Sequence, residues 1–502
     1  MATHSGGPWR NRHRFRPNLL LRQRHSIIRS QCTAGRPNRP SCRATAHTHR
    51  PGPPGRLQLR EQLMARLVIG NWLNESELAN VPSESIRHIG AQGQRMIWCA
   101  QPGDVLVLPI QPDEGFFAYA TTLAGVDASS LQIVVPPAGK SGAVLTGDRF
   151  EDEDFLAELQ RIVRDRGIDR AEPFYLDGYV NRLIERLGLE KSTPGFGFMN
   201  QGGNELLNSK VAFRAVATGT NLPIPAGLVT DSAEEAAEYL WELLRSGRSA
   251  IAKQDSGTSG RGNEILTATT DVNAIGALHH VVITDRAALA DHVAARWSWY
   301  TSGLRRRAVF EEYEADSVPV WGEAAITEES VEIYGYGKIR LKPICDGVII
   351  PIPAPDSETE ACQDFLRHLQ ALAETMRAMG YRGLTNVDAI LTPNGRVLFN
   401  EWNGRYGGST HLFAIGERVV GSGYLDDRCL IEQRDCAFPA FDVAWRTLKD
   451  SGLAYDPAAR TGVIIPVYGT KPDGTSGEAC IVGESFAAAE QTERELMALF
   501  PH

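Results

Sequence analysis

The chain has 502 residues, 42% of them hydrophobic, and a formal net charge of -9. That length supports two to four domains with cores of their own, and no run approaches the roughly 20 apolar residues of a membrane span, so the chain reads as soluble and cytoplasmic. Residues 1–63 hold thirteen arginines, no lysine and one acid, Glu61, a local charge of +12 that leaves -21 on the remaining 439 residues; a body that acidic is a poor general nucleic-acid binder.

The first 63 residues are rich in Arg, His and Pro and lack apolar periodicity. No apolar core precedes a cleavage site, so a targeting peptide fits poorly. A basic nucleic-acid arm and plain disorder are alternatives. We read the segment as a mis-assigned start, because "MARLVIGNW" opens at Met64 and runs straight into a strand. Eight scattered cysteines form no CxxC pair and read as free thiols of a reducing compartment.

From Met64 strands alternate with helices. "RLVIGNW", "DVLVLPI" (104–110) and "LQIVVPP" (131–137) are strands, with a helix from Phe116 to Leu123 between the last two. This pattern predicts a small parallel-sheet domain over 64–204. "DEDFLAELQRIVRDRG" places Phe155, Leu156, Leu159, Ile162 and Val163 on one helical face and stops at Gly167. The segment 190–208, with four glycines and a proline, reads as a linker or substrate loop.

A second α/β block begins near Ser209. Ser232 and Glu235 form a capping box, and Gly247 ends the helix they start. Strands follow at Ala250–Gln254, Val309–Tyr313, Val320–Ile326 and Val331–Arg340, then a helix over Glu358–Met379. Beyond Cys429, "TGVIIPVYG" and "EACIVG" flank a "KPDG" turn, and a last helix runs to Leu499.

Three places carry candidate chemistry. In "LTNVDAILTPNGRVLFNEWNGRYGGSTH" a two-residue Asn394-Gly395 turn sets Asp388 opposite Glu401, and the period of two puts Asn403 on the same face. Two acids and an amide suit a hard cation; without one, an acid must take up a proton. The alternative is a surface hairpin with solvated acids. In "AIAKQDSGTSGRGN" a strand ends in Lys253 before a loop with Gly257, Ser259, Gly260 and Gly262, whose backbone N–H groups can approach phosphate. It is neither a Walker loop nor a dinucleotide fingerprint. Finally, Lys210 opens a helix, and Lys338, Arg340 and Lys342 alternate onto one strand face. Such cations are either solvated or aimed at polyanions.

In order, these pieces resemble the ATP-grasp ligases over residues 205–425: Lys210 before "NLPIPAG", Lys253 before "GTSGRG", "VFEEY" with Glu311, Glu312 and Tyr313, the D…ExN set Asp388, Glu401 and Asn403, and Arg405 after it. The flanking "VLVLPIQPDEGFFAYATTLAGVD", "STPGFGFMNQGGNELLNSK" and "GVIIPVYGTKPDG…EACIVGES" resemble the pheganomycin-type peptide ligases.

The resemblance implies an α/β chain. A Rossmann-like pre-ATP-grasp domain (64–204) precedes an ATP-grasp domain (205–425), with a lid over 209–310 and a metal-binding core over 311–425. A small C-terminal α+β region (426–502) follows. It implies ATP bound by Lys210, Lys253, Gly257, Ser259, Gly260, Gly262, Glu311, Glu312, Tyr313 and Lys338. Mg²⁺, or Mn²⁺ in its place, would sit on Asp388, Glu401 and Asn403. Arg405, Arg340 and the N–H groups of Gly407 and Gly408 would act at the reacting centre. The family's ribose acid falls on Val318, with Glu314, Asp316 and Glu323 nearby. His411 reads as structural. The implied reaction joins a carboxylic acid to an amine, an amino acid or peptide, through an acyl phosphate, with no nucleic-acid or membrane partner; a homodimer is compatible. A kinase, a bicarbonate-activating enzyme and a non-catalytic nucleotide-binding module are the rivals.

Overall fold

The computed structural model describes residues 64–73, 78, 83, 86–257, 260–304, 306–471 and 474–501. The reading of residues 1–63 and the assignment of Ser259 fall outside these. Among the described residues no helix is long and apolar enough to cross a membrane, and six cysteines are free thiols.

Strands β1 (Leu67–Ile69), β2 (Val105–Val107), β3 (Gln132–Val134) and β4 (Ala171–Pro173) form a parallel sheet in the order β3-β2-β1-β4. Their runs are short and apolar because helices cover the sheet. The helix Glu153–Arg166 buries the five predicted residues Phe155, Leu156, Leu159, Ile162 and Val163. The Asp152 side chain accepts from the Phe155 N–H at its start, and Gly167 ends it at φ 63°, a left-handed conformation that glycine adopts without strain.

Segment 190–208 is not a loop. It forms successive short turns, Phe196–Phe198, Met199–Gly203 and Asn204–Leu206, because Phe196, Met199 and Leu207 are pulled into the core despite the glycines around them.

Strands β5 (Gly227–Thr230), β6 (Ser249–Lys253), β7 (Asn263–Thr267), β8 (His279–Val282) and β9 (Ala308–Tyr313) form a second sheet, β5-β9-β6-β7-β8. Helices Ala233–Arg245 and Arg286–Tyr300 cover it, with Leu240, Leu244, Leu289, Val293 and Phe310 buried between. Half of the expected capping box is present: Ser232 Oγ accepts from the Glu235 N–H at 3.2 Å. The Glu235 carboxylate instead takes the Thr230 hydroxyl at 2.6 Å, and Thr230 Oγ1 accepts the Ser232 N–H at 2.9 Å. The return bond to the Ser232 N–H therefore runs through Thr230.

The third sheet has eight antiparallel strands: β10 (Val318–Ile326), β11 (Val331–Leu341), β12 (Cys345–Ile350), β13 (Gly383–Leu391), β14 (Val397–Asn403), β15 (Cys429–Cys436), β16 (Gly462–Lys471) and β17 (Gly474–Gly483). Their order is β14-β13-β10-β11-β12-β15-β17-β16. The C-terminal strands therefore continue the sheet that carries the metal-ligand candidates, joined where Ile349 pairs with Ile431. The helix Glu360–Met379 buries Phe365, Leu369, Leu372 and Met376 against it.

The β13–β14 hairpin corrects one step of the sequence argument. Leu391 pairs with Val397, Ile390 with Leu398 and Ala389 with Phe399, so the connection is longer than a two-residue turn. Thr392 and Arg396 close it by a 2.8 Å backbone bond, with Gly395 at φ 78°. That shift alone would separate the two acids. A bulge beside Asn400 adds the missing residue back, and Asp388 again faces Glu401 while Asn386 faces Asn403.

Candidate active site

A cavity of about 1380 Å³ lies where the three sheets meet. Lys210, Lys253, Gly257, Gly260, Gly262, Glu311, Glu312, Tyr313, Asp388, Glu401, Asn403, Arg405, Gly407 and Gly408 all line it. Glu314 and Asp316 line it as well, beside the position where a ribose contact was sought, whereas Glu323 is fully buried in the sheet.

Lys210 opens the helix Lys210–Gly219, where the macrodipole opposes a cation. Two acceptors offset that cost. Its Nζ lies 2.5 Å from Glu401 Oε2 and 3.0 Å from the Gly257 carbonyl. The start of the helix is fixed by Asp255, whose carboxylate accepts the Ser209 hydroxyl at 2.6 Å and the Val211 N–H at 3.0 Å. Arg306 pairs with the other Asp255 oxygen at 3.0 Å. Asp255 thus ties the glycine loop to the helix that presents Lys210. The loop closes at its base where the Gln254 N–H meets the Gly262 carbonyl at 2.9 Å.

Lys253, at the end of β6, is 6% exposed and reaches Glu311 Oε2 at 2.5 Å. Arg214 pairs with the other oxygen of Glu311. The Glu311 side chain is therefore a counter-ion for two buried cations, and only the backbone of this strand end remains for a base. Tyr313 serves the opposite wall: its hydroxyl accepts the Ile275 N–H at 3.0 Å and fixes the neighbouring loop.

At the hairpin, burial and then the nearby Glu401 carboxylate push the Asp388 carboxyl well above its ordinary range. Burial works the same way on Glu401, but the Lys210 ammonium, helped by Lys253, outweighs it and holds Glu401 below its ordinary value. The pair therefore shares one proton, carried by Asp388, and one negative charge, on Glu401. Asn403 Oδ1 accepts from Arg405 at 3.1 Å, and the Arg405 guanidinium lies 5.0 Å from the Tyr175 ring centroid. A buried acid pair with an adjacent amide oxygen, forced to keep a proton, is a donor set that fits a hard divalent cation in the proton's place.

Three sequence assignments need correction. Lys338 and Arg340 do share a strand face, but it is the far one: Ile339 and Leu341 face the cavity. Lys338 pairs with Asp356 at 2.8 Å, and Arg340 with Glu493 at 2.5 Å. Alternation fixes that two residues share a face, not which face is inside. Gly407 does not offer a free N–H, since that group donates to Thr410 Oγ1 at 2.8 Å. Nor is its missing side chain left out for a ligand, because a Cβ there would stand 2.3 Å from Asn386 Nδ2 and 2.6 Å from Glu323 Oε1. Thr410 is held in turn by both Glu323 oxygens, at 2.9 and 2.8 Å. Burial, against the hydrogen bonds of Thr410 and Asn386, pushes the Glu323 carboxyl up to about 7. His411 is buried; burial and then the Arg95 and Arg434 guanidiniums hold its ring well below the usual histidine range, hence neutral.

The sequence reading missed Arg95, Arg306 and Arg434, which also line the cavity. None sits in a local motif, and Arg95 and its partner Glu478 are 383 positions apart. Asp255, two residues beyond Lys253, was the one available signal for Arg306.

Residues 93–189 match the family model of the pre ATP-grasp domain, and residues 444–496 match that of the PGM1 C-terminal domain. No curated protein matches the sequence. Among solved structures, the chain is similar to the biotin carboxylase domain of the Hydrogenobacter thermophilus 2-oxoglutarate carboxylase, solved with MgADP, ADP and bicarbonate. The TM-score is 0.51 at 15% identity, over 88% of this chain and 91% of that one. It is also similar to the biotin carboxylase of Campylobacter jejuni (TM-score 0.50, 13% identity, 87% of this chain and 91% of that one). A third is the N5-carboxyaminoimidazole ribonucleotide synthetase of Thermus thermophilus (TM-score 0.50, 17% identity, 82% of this chain and 97% of that one). The chain has the ATP-grasp fold, preceded by a pre-ATP-grasp domain.

Proposed function

We propose that the protein is an ATP- and Mg²⁺-dependent ligase that joins a carboxylic acid to an amine, with amino acids or peptides as substrates, as in the peptide ligases its sequence resembles. The observation that carries this reading is the electrostatics of one cavity. Two lysines end there on buried acids, Lys210 on Glu401 and Lys253 on Glu311, and Asp388 keeps a proton beside them. The similar structures solved with MgADP and with an ATP analogue support a nucleotide in that cavity.

Asp388, Glu401 and Asn403 would hold Mg²⁺, which when bound neutralises phosphate charge. The chain's own residues do the rest. Lys210 and Lys253 supply ammonium donors to phosphate oxygens. The backbone of Glu312–Glu314 faces the base, with Glu314 and Asp316 beside the ribose. Gly257, which Lys210 holds at its carbonyl, and Gly260 and Gly262 line the cavity where they would screen the phosphates from water.

The γ-phosphoryl moves to a carboxylate oxygen of the acid, giving an acyl phosphate and ADP. The amine nitrogen then attacks the carbonyl carbon. Arg405, positioned by Asn403 and Tyr175, stabilises the oxyanion. The carbon–oxygen bond to phosphate breaks, phosphate leaves, and the nitrogen sheds its proton to solvent. We place this chemistry in the cytoplasm, in the making of peptide natural products. The test is a screen of amino acids and dipeptides as acid donors and as amine acceptors, with ADP, phosphate and product mass read together. A ligase releases ADP and phosphate in equal amounts only when both substrates are present. ADP release that needs only one of them, with no free phosphate and a stable phosphate ester as product, would make it a kinase.

A further inference from the structure

The far end of the cavity, beyond Arg405, is lined by two guanidiniums and an indole. Arg95 is 2% exposed and lies 4.2 Å from the Trp72 ring centroid. Its Nη2 pairs with Glu478, but its Nε and Nη1 have no hydrogen-bond partner among the described residues. Arg434 gives Nε and Nη2 to Glu432 Oε2, at 3.1 and 3.0 Å. Between these groups stands Gly408. A Cβ on Gly408 would be 3.2 Å from the Trp72 ring, 3.5 Å from Arg434 Nη2 and 3.9 Å from Arg95 Nη1. Gly408 has no positive φ, so its backbone does not require glycine. The absent side chain leaves a notch with cationic donors on two sides and an apolar wall on the third.

A divalent metal does not suit this corner. His411, Glu432 and Glu478 offer ligand atoms within 4.8 Å of one another. Yet Arg95 and Arg434 already pair with the two carboxylates, so a metal would have to displace guanidiniums from the oxygens it needs. Among the described residues, unpartnered atoms stand on both sides of this cluster, Glu432 Oε1 and Glu478 Oε2 as acceptors and Arg95 Nε and Nη1 as donors. The ones that reach the Gly408 notch are the donors, with Arg95 Nη1 3.9 Å from the Cβ position, and donors there suit an anion.

We propose that the notch over Gly408, between Arg95 and Arg434, holds the free carboxylate of the amine substrate. This rests on the ligase reading above. The carboxylate to be activated belongs beside Arg405 and the acid pair, so an anion at Gly408 is a second one. Arg405 and Gly408 are three residues apart, at most about 11 Å along the chain. A carboxylate anchored at Gly408 therefore leaves the amine of an amino acid or short peptide within reach of a carbonyl at Arg405. The acceptor is then one whose own C-terminus stays free, and its amide or ester is a poor substitute.

The test compares a pool of dipeptides with the same dipeptides amidated at the C-terminus. Binding to the full chain in the presence of MgADP is read by saturation-transfer NMR, and acceptor-dependent phosphate release by kinetics. The wild type is expected to favour the free-carboxylate pool at least tenfold. Gly408→Ala, which fills the notch without demanding a new backbone conformation, should raise KM for that pool at least tenfold and erase the preference. Arg434→Gln should do the same, and Arg434→Lys should restore part of it. If Arg434→Gln does not fold, Gly408→Ala decides alone. Equal binding of both pools to the wild type overturns the proposal, as does a Gly408→Ala enzyme that keeps the preference. The ligase reading is judged separately, by hydroxylamine trapping of the activated acid in the wild type: a binding preference without trapping leaves the anion site standing and removes the ligase.

Discussion

Replacing Glu401 by Gln separates the charge of the acid pair from its shape. Lys210 Nζ is 2.5 Å from Glu401 Oε2, with side chains 9% and 19% exposed. At that distance an effective dielectric near 20 gives a gross attraction of about 7 kcal/mol. The net loss is much smaller, because Asp388 can compensate. It keeps its proton first because it is buried and then because Glu401 is charged beside it. With that charge gone, Asp388 ionises and becomes the partner of Lys210. We therefore expect Glu401→Gln to cost under about 2 kcal/mol in stability, well below the about 3–5 kcal/mol of an uncompensated buried charge. Turnover has no such substitute, since one acid now serves where two did. The expected loss is about 10²–10³-fold or more, close to 3–4 kcal/mol of transition-state stabilisation. Urea denaturation gives the stability and a phosphate-release assay over a range of Mg²⁺ gives the rate. A variant with wild-type rate at limiting Mg²⁺ would refute the argument from the hairpin. One that unfolds by about 5 kcal/mol would refute the proposed exchange of roles between the two acids.

Arg340→Ala should leave turnover within about twofold of wild type, because its partner is Glu493 and not the cavity; a loss of tenfold or more at the chemical step would return it to the site. Glu311→Gln leaves Arg214 and Lys253 facing one another with no acid between, and should cost about 3–5 kcal/mol by urea denaturation as well as weakening nucleotide binding. Gly407→Ala drives a Cβ to 2.3 Å from Asn386 Nδ2, so it should destabilise by about 1–3 kcal/mol and slow turnover by displacing the loop that carries Arg405; unchanged Tm and rate would contradict the packing described. Glu323 has a folded value raised to about 7 from its ordinary value of 4.5, so its protonated form stabilises the fold below about 4.5 and that contribution is lost as the pH rises through about 7. Glu323→Gln imitates the protonated acid, and its Tm should fall less than that of wild type between pH 5 and 8; parallel pH profiles would refute this.

The candidate site was legible wherever a local period decides the outcome. Asp388, Glu401 and Asn403 converge because a strand repeats every two residues and a hairpin repeats its register. That argument also shows its limit, since the turn is longer than Asn394-Gly395 and a bulge at Asn400 restores the pairing. Two deviations cancelled, and neither was visible in the residue types. The row Lys338–Arg340 failed for a different reason: both faces of β11 are covered, one by the cavity and one by Asp356 and Glu493, and both suit its residues. The helix Glu153–Arg166 was fully legible, down to its five buried residues, because amphipathic period and caps agree. Arg95 and Arg434 could not be found, because their meaning depends on Glu478, Glu432 and Gly408, which only the folded sheet brings to them.

The central claim is that a carboxylate is phosphorylated before an amine attacks. Hydroxylamine trapping reads that step directly. The wild-type protein, incubated with MgATP, an acid pool and hydroxylamine but no natural amine, should yield a hydroxamate with one ADP released per molecule trapped. The same mixture with Glu401→Gln should yield about 10²–10³-fold less. A phosphorylated product that survives hydroxylamine, or ADP release without any hydroxamate, would contradict the account.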